Sequence, residues 1–144
     1  MLDKNSLFAK LSIVTSPRII SKIDNAIAFL DAFPLSVGHT LIIPKIHISK
    51  LQDMNSEYSS AIFDLLRVVT AAVEKAAGAK ASTIAIHNGV ESGQVILHVH
   101  IHIIPRFRGD GAGPVHSMFK KRPDVRSEKM DSILVRIKEL LELS

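Results

Sequence analysis

The 144-residue chain contains no cysteine and no tryptophan, and its aromatic content is only 5%. Without cysteine there can be no disulfide, no thiolate zinc site and no thiol nucleophile. So few aromatic residues argue against an aromatic platform for nucleic acid or carbohydrate. No apolar run approaches the roughly 20 residues needed to span a bilayer. The start, Met1-Leu2-Asp3-Lys4-Asn5, lacks the basic-then-apolar pattern of a secretory signal. A cytoplasmic protein with no membrane partner is therefore expected. Repeats, low-complexity tracts and linkers are also lacking, so residues 1–144 are expected to form a single domain.

What is present is an apolar-rich chain, 47% hydrophobic and 22% charged, with seven histidines. At this length a chain buries roughly two thirds of the surface it exposes when unfolded and needs no staple. The formal charge of +4 is unevenly placed. Arg106, Arg108, Lys120, Lys121, Arg122 and Arg126 face only Asp110 and Asp124 between Pro105 and Arg126. That segment suits a phosphate-bearing ligand, and equally reads as a solvated basic loop. Nucleic acid is not an expected partner, since only this segment would speak for it.

Leu7, Phe8 and Leu11 are at helical spacing and predict a short helix ended by Pro17. Arg18–Ile23 and Ala26–Leu30 read as a hairpin around Asp24-Asn25, and His39–Ile43 as a third strand stopped by Pro44. From Ser56 to Ala77 the pattern is helical: Ile62, Leu65, Leu66, Val69, Val73 and Ala76 share a face, Asn55 or Ser56 caps the start, and Gly78 follows the end. Ser82–His87 and Val95–Ile104 read as strands separated by a short polar loop, which favours antiparallel pairing. A last helix begins near Ser127 with Met130, Ile133, Leu134, Ile137, Leu140 and Leu141 on one stripe, read as core packing. The expected class is α+β: an antiparallel sheet of about five strands, one long central helix and a C-terminal helix.

Three of the seven histidines fall in His98-Val99-His100-Ile101-His102. If this is a strand, His98, His100 and His102 share one face while Val99, Ile101 and Ile103 bury the other. Three readings follow. The residues are surface histidines at polar strand positions; or they bind metal; or an imidazole is a nucleophile. Alternate strand positions are about 6.6 Å apart, so His98 and His102 start about 13 Å apart. Zinc–nitrogen bonds of about 2.0–2.1 Å cannot collect all three. A His-x-His pair with His39, His47, His87 or His116 stays open. For the third reading, a neutral imidazole offers a lone pair near pH 7, its ordinary pKa being about 6.5. Neighbouring imidazoles also resist joint protonation. Phosphorus is the natural electrophile beside the glycine-bearing loop Asn88–Gly93 and the basic segment.

His98 to Ile104 resembles the His-φ-His-φ-His-φ-φ signature of the histidine triad (HIT) superfamily, φ being apolar. Ala28-Phe29-Leu30-Asp31, Pro34, Gly38 to Lys45 and His47 resemble the family's N-terminal half. Asn88-Gly89, Gly93-Gln94, Ile104-Pro105-Arg106 and Gly109-Asp110-Gly111 stand at family spacing. The resemblance implies a HIT-like fold and a homodimer whose sheets join across the interface. It also implies a nucleotide hydrolase or transferase working through a covalent nucleotidyl-histidine, without a cofactor or metal.

Carried over residue by residue, the resemblance makes His100 the nucleophile. His98 orients it, and His102 contacts the phosphate or assists the leaving group. Asp31 would bind the ribose hydroxyls, and Leu7, Phe8, Leu11, Phe29 and Leu30 the base, although plain core packing explains these apolar residues as well. His39 supports the triad, while His87, Asn88 and Gln94 belong to nucleotide binding around the phosphate loop. His47 and His116 read as surface residues. Three departures stand out. Ser6 and Ala9 replace the cysteines of zinc-bearing relatives, His87 replaces an Asn or Gln, and Val95 replaces a Ser or Thr. The implied reaction splits a purine nucleotide–X, with X from a phosphoramidate or dinucleoside polyphosphate, into nucleoside monophosphate and X. The alternatives are a nucleotide-binding module with vestigial catalysis and a metal-dependent hydrolase.

Overall fold

The hairpin expected around Asp24 and Asn25 is present in the computed structural model, which describes residues 18–144. β1 (Ile19–Lys22) and β2 (Ala26–Leu30) pair antiparallel, and the N–H of Ile23 donates to the carbonyl of Ala26 at 3.0 Å to close the turn. β3 (Thr40–Pro44), α1 (Ser56–Ala77), β4 (Ala81–Ala85), β5 (Ile101–Arg106) and α2 (Ser127–Glu142) complete the element order. The strands form one antiparallel sheet in the order β1-β2-β3-β5-β4. The expected α+β class, with its five strands, long helix and C-terminal helix, is what the chain adopts. The predicted helix around Leu7, Phe8 and Leu11 lies outside the described residues.

α1 begins and ends where its sequence says. Asn55 Oδ1 accepts the N–H of Tyr58 at 3.0 Å, a cap worth about 1 kcal/mol. Gly78 closes the helix at φ 70°, a conformation that costs a side chain but not glycine. Ile62, Leu65, Leu66, Val69 and Val73 recur at helical spacing and are buried. They cluster with Ala26, Ala28, Ile42, Ile101 and Ile103 from one face of the sheet and with Val99 just before β5. Truncating a fully buried member such as Ile62 to alanine removes about 2–5 kcal/mol. On the opposite face Ile27, Phe29, Leu41 and Ile43 form a second buried cluster. Leu41 pairs with both Phe29 and His102, so that cluster lies on the same face as His102.

β5 differs from expectation at both ends. It was predicted over Val95–Ile104, but it starts at Ile101 and runs through Pro105 to Arg106. His98 and His100 therefore precede the strand, and the joining segment is longer than predicted. The Val99 N–H goes to the carbonyl of Ile48 at 2.7 Å, outside any strand ladder. Pro105 is tolerated because its carbonyl accepts from Ser36 Oγ at 2.8 Å. In an extended residue the N and the C=O point to the same side, so the missing N–H faces Ser36 and not β4. Within β5 the alternation holds, with Ile101, Ile103 and Pro105 buried and His102, Ile104 and Arg106 half-buried.

The described chain divides into two compact units, one ending at Asp110 and the other running Gly111–Ser144. The second contains a short 3-10 turn, Val115–Met118, and α2. The α2 stripe was read as core packing, and here the structure corrects the sequence. Met130, Ile133, Leu134, Ile137, Leu140 and Leu141 are between 49% and 68% exposed. A stripe identifies the apolar side of a helix but not what covers it. No helix among the described residues is long and apolar enough to cross a membrane.

Candidate active site

Gly38 delivers the chain into β3 at a positive φ of 89°, and a Cβ there would stand 3.3 Å from both Ala77 Cβ and Pro105 Cγ. The positive φ favours glycine, and the close neighbours leave little room for a side chain. The next residue, His39, is almost wholly buried. Its Nδ1 accepts the backbone N–H of Leu35 at 3.0 Å, so a neutral His39 carries its proton on Nε2. That Nε2 lies 2.9 Å from Nδ1 of His102, and donates to it. His102 must then hold its own proton on Nε2, which is buried with no partner among the described residues. One backbone amide thus sets two tautomers in series and leaves an N–H donor unused at the end.

A second series fixes His100. Its Nδ1 is 2.7 Å from the carbonyl oxygen of His98, which can only accept. Nδ1 therefore bears the proton, and the lone pair of a neutral ring is on Nε2. His98 itself donates from Nε2 to the carbonyl of Pro44 at 3.0 Å, the last residue of β3. Its Nδ1 is buried without a partner among the described residues. His98 is thus a buried anchor, not a member of an open histidine face, while its main chain orients His100.

The rings gather around His102. Its centroid is 4.9 Å from that of His100, 5.2 Å from His39 and 5.7 Å from His87. Burial pushes His102 down to about 4, and repulsion from His100, His39 and His87 adds to it against the pull of Asp31. Burial likewise lowers His39 despite Asp31. It lowers His98 despite the Pro44 bond, with His47 and His100 contributing. All three rings are neutral near pH 7.

Asp31 stands beside this group, with Oδ1 accepting the N–H of Phe33 at 2.8 Å and Oδ2 3.6 Å from His39 Nε2. Asp31, His39 and His102 bring one ligand atom each within 4.8 Å of one another, a spacing open to a metal ion. The hydrogen bonds disfavour that use. The Leu35 amide occupies His39 Nδ1, so Nε2 has a proton where a metal needs a lone pair. Two nitrogens on one tetrahedral zinc would also stand about 3.3 Å apart, further than the 2.9 Å here.

The loop between β4 and β5 is held from below. Gln94 is buried, accepting the Gly89 N–H at 2.8 Å on Oε1 and donating to the Ser49 carbonyl at 2.8 Å from Nε2. Asn88 accepts the Leu51 N–H at 2.9 Å and donates to Gln52 at 3.0 Å. Both amides, expected near phosphate, are thus engaged as loop ties. Arg106 grips Asp110 at 2.7 Å and Thr83 at 2.9 Å.

Of the other expected site residues, Phe29 is buried on the His102 face and Leu30 is at the margin of exposure. Val95 is 91% exposed, and Phe8 lies outside the described residues. His47 is exposed as expected, yet its ring meets His98 at 5.4 Å. His116 is exposed in the second unit. The Leu35 amide and the Pro44 and His98 carbonyls were missed. They are backbone groups, to which residue identity gives no clue.

The HIT domain family model matches residues 14–109. An adenylylsulfatase of Arabidopsis thaliana, HINT3, is 34% identical over 135 residues, 93% of this chain and 68% of that protein. The asymmetrical bis(5'-nucleosyl)-tetraphosphatase of Schizosaccharomyces pombe is 40% identical over 83 residues, 58% of this chain and 46% of that one. A HIT family protein of Bacillus subtilis superposes with a TM-score of 0.79 at 29% identity, over 94% of this chain and 96% of that one.

Proposed function

From a chain that belongs to the HIT family, we propose a nucleotide hydrolase that splits a purine nucleoside monophosphate from a leaving group X through His100. The Nε2 lone pair attacks the α-phosphorus, the bond from phosphorus to X breaks, and X leaves with the electron pair. The ring becomes an imidazolium whose Nδ1–H stays on the His98 carbonyl. Water then attacks phosphorus, and the electrons of the phosphorus–nitrogen bond return to Nε2.

The observation that carries this reading is the 2.7 Å bond from His100 Nδ1 to the His98 carbonyl. It leaves the lone pair on the other nitrogen, and among the described residues no hydrogen bond engages that atom. His102 supports the step by holding a neutral ring against that of His100, which adds no charge but fixes geometry. Asp31 is suited to the ribose hydroxyls, since a carboxylate accepts about four hydrogen bonds and few are taken here. Phe29 and its cluster offer the apolar side toward the base. Asn88 and Gln94 serve by holding the loop, and the working form is a homodimer.

The test is intact-mass detection of an acid-labile nucleotidyl adduct during turnover of nucleoside phosphoramidates and dinucleoside polyphosphates. His100→Ala is expected to lose both adduct and turnover while retaining nucleotide binding. Near-wild-type hydrolysis by that variant would overturn the assignment. Tight binding without adduct or turnover in the native chain would mark a binding module instead.

A further inference from the structure

Nucleophilic attack at phosphorus creates a second need, a proton for X. Six imidazoles gather here; four are committed, and His47 is exposed with its ring against His98, not His102. His39 accepts from Leu35 and donates to His102. His102 accepts from His39 and holds its proton on Nε2. His98 donates to Pro44 from Nε2, and its Nδ1 is buried. His100 donates to the His98 carbonyl and uses its lone pair on phosphorus. None of these can change its proton count without breaking a bond or charging a buried ring.

His87 differs. Among the described residues neither of its ring nitrogens makes a hydrogen bond, and the residue is half-buried. It follows β4, where Ala85 pairs with His102. Ile86 packs toward the α1 cluster, so alternation places His87 on the face of Ala85 and His102. Its ring meets His102 at 5.7 Å, and His102 meets His100 at 4.9 Å. The free imidazole and the nucleophile are thus both neighbours of one ring.

We propose that His87 is a catalytic acid–base residue, an assignment that rests on His100 being the nucleophile. In the first step the His87 imidazolium gives its proton to X as the bond from phosphorus to X breaks. Neutral His87 then takes a proton from the water that displaces His100. Both rings return to their starting states, and the sum is nucleotide–X plus water giving nucleoside monophosphate and X–H.

The experiment compares two adenosine 5'-phosphate esters, one of p-nitrophenol, which leaves unprotonated, and one of ethanol, which must be protonated. In His87→Gln, turnover of the ethyl ester is expected to fall about a hundredfold. Turnover of the nitrophenyl ester should fall by less than about tenfold. In His87→Ala, added imidazole should restore the ethyl ester reaction. Equal losses on both esters at an unchanged melting temperature, undiminished ethyl ester turnover, or failure of imidazole to rescue His87→Ala would each overturn the role. The adduct from the nitrophenyl ester is read separately in the unmodified chain. Its absence there would remove the nucleophile itself, and His87's role with it.

Discussion

His39 Nε2 and His102 Nδ1 are 2.9 Å apart, and the direction of their hydrogen bond is decided across the His39 ring by the N–H of Leu35. His39→Ala removes both the donor to His102 and the acceptor for Leu35. His102 should then titrate above its present value of about 4, as read by NMR, since it loses one of its charge neighbours. The orphaned amide should cost about 1–3 kcal/mol in denaturant unfolding. Turnover should fall by roughly tenfold or more as His102 loses its fixed tautomer.

Acid should destabilise the fold earlier than its carboxylates alone would. His39, His98 and His102 are all lowered from the ordinary histidine value of 6.5. Above that value both folded and unfolded chains hold these rings neutral, and the full stability is present. Below it the unfolded chain takes up protons that the folded chain refuses, so stability is lost as pH falls toward about 4. Melting temperature followed from pH 8 to pH 4.5 should drop through this window, and less steeply in His102→Asn. A flat profile in the unmodified chain would contradict the burial argument.

Gln94 joins Gly89 to Ser49 through one side chain. Gln94→Glu preserves the acceptor for Gly89 but presses a carboxylate oxygen against the Ser49 carbonyl. The loop should open, with a loss of about 1–3 kcal/mol and faster hydrogen exchange at the Gly89 amide. Gln94→Ala should exchange faster at the same amide.

Chelation should leave hydrolysis unchanged. Asp31, His39 and His102 approach metal-ligand spacing, but the proton on His39 Nε2 occupies the position a metal would need. Activity after exhaustive dialysis against a strong chelator is the measurement. A loss restored by one divalent ion would reverse the tautomer assignment.

Much of this architecture was legible because it depends on side-chain identity and spacing. Asn55, Gly78 and the Ile62 to Val73 stripe announce α1, and the alternation Ile101, His102, Ile103 places His102 opposite the helix-covered face. The same alternation continues at Val99, which joins the helix-side cluster, but the strand does not reach it. The Val99 N–H bonds the Ile48 carbonyl, and a contact that distant leaves no periodic trace. The expected strand Val95–Ile104 ends just short of Pro105, which lacks an N–H, yet β5 continues through it because that side of the strand faces Ser36. The triad was recognisable as a pattern, whereas the proton positions that give each ring its role come from Leu35, Pro44 and His98 main-chain atoms. The α2 stripe shows the converse: its spacing gave the helix, but the residues expected in a core are exposed.

The bond that orients His100 originates in a peptide carbonyl, and every amino acid has one. Replacing the side chain at position 98 therefore cannot delete it. Such a variant reports on the anchor to Pro44 and on the path of the main chain from Ile96 to His100, not on the orienting contact. A variant at position 98 keeps that acceptor for His100 as long as the backbone bends the same way. The durable component of this site is then a shape of the chain, and its histidines are partly the means of holding that shape.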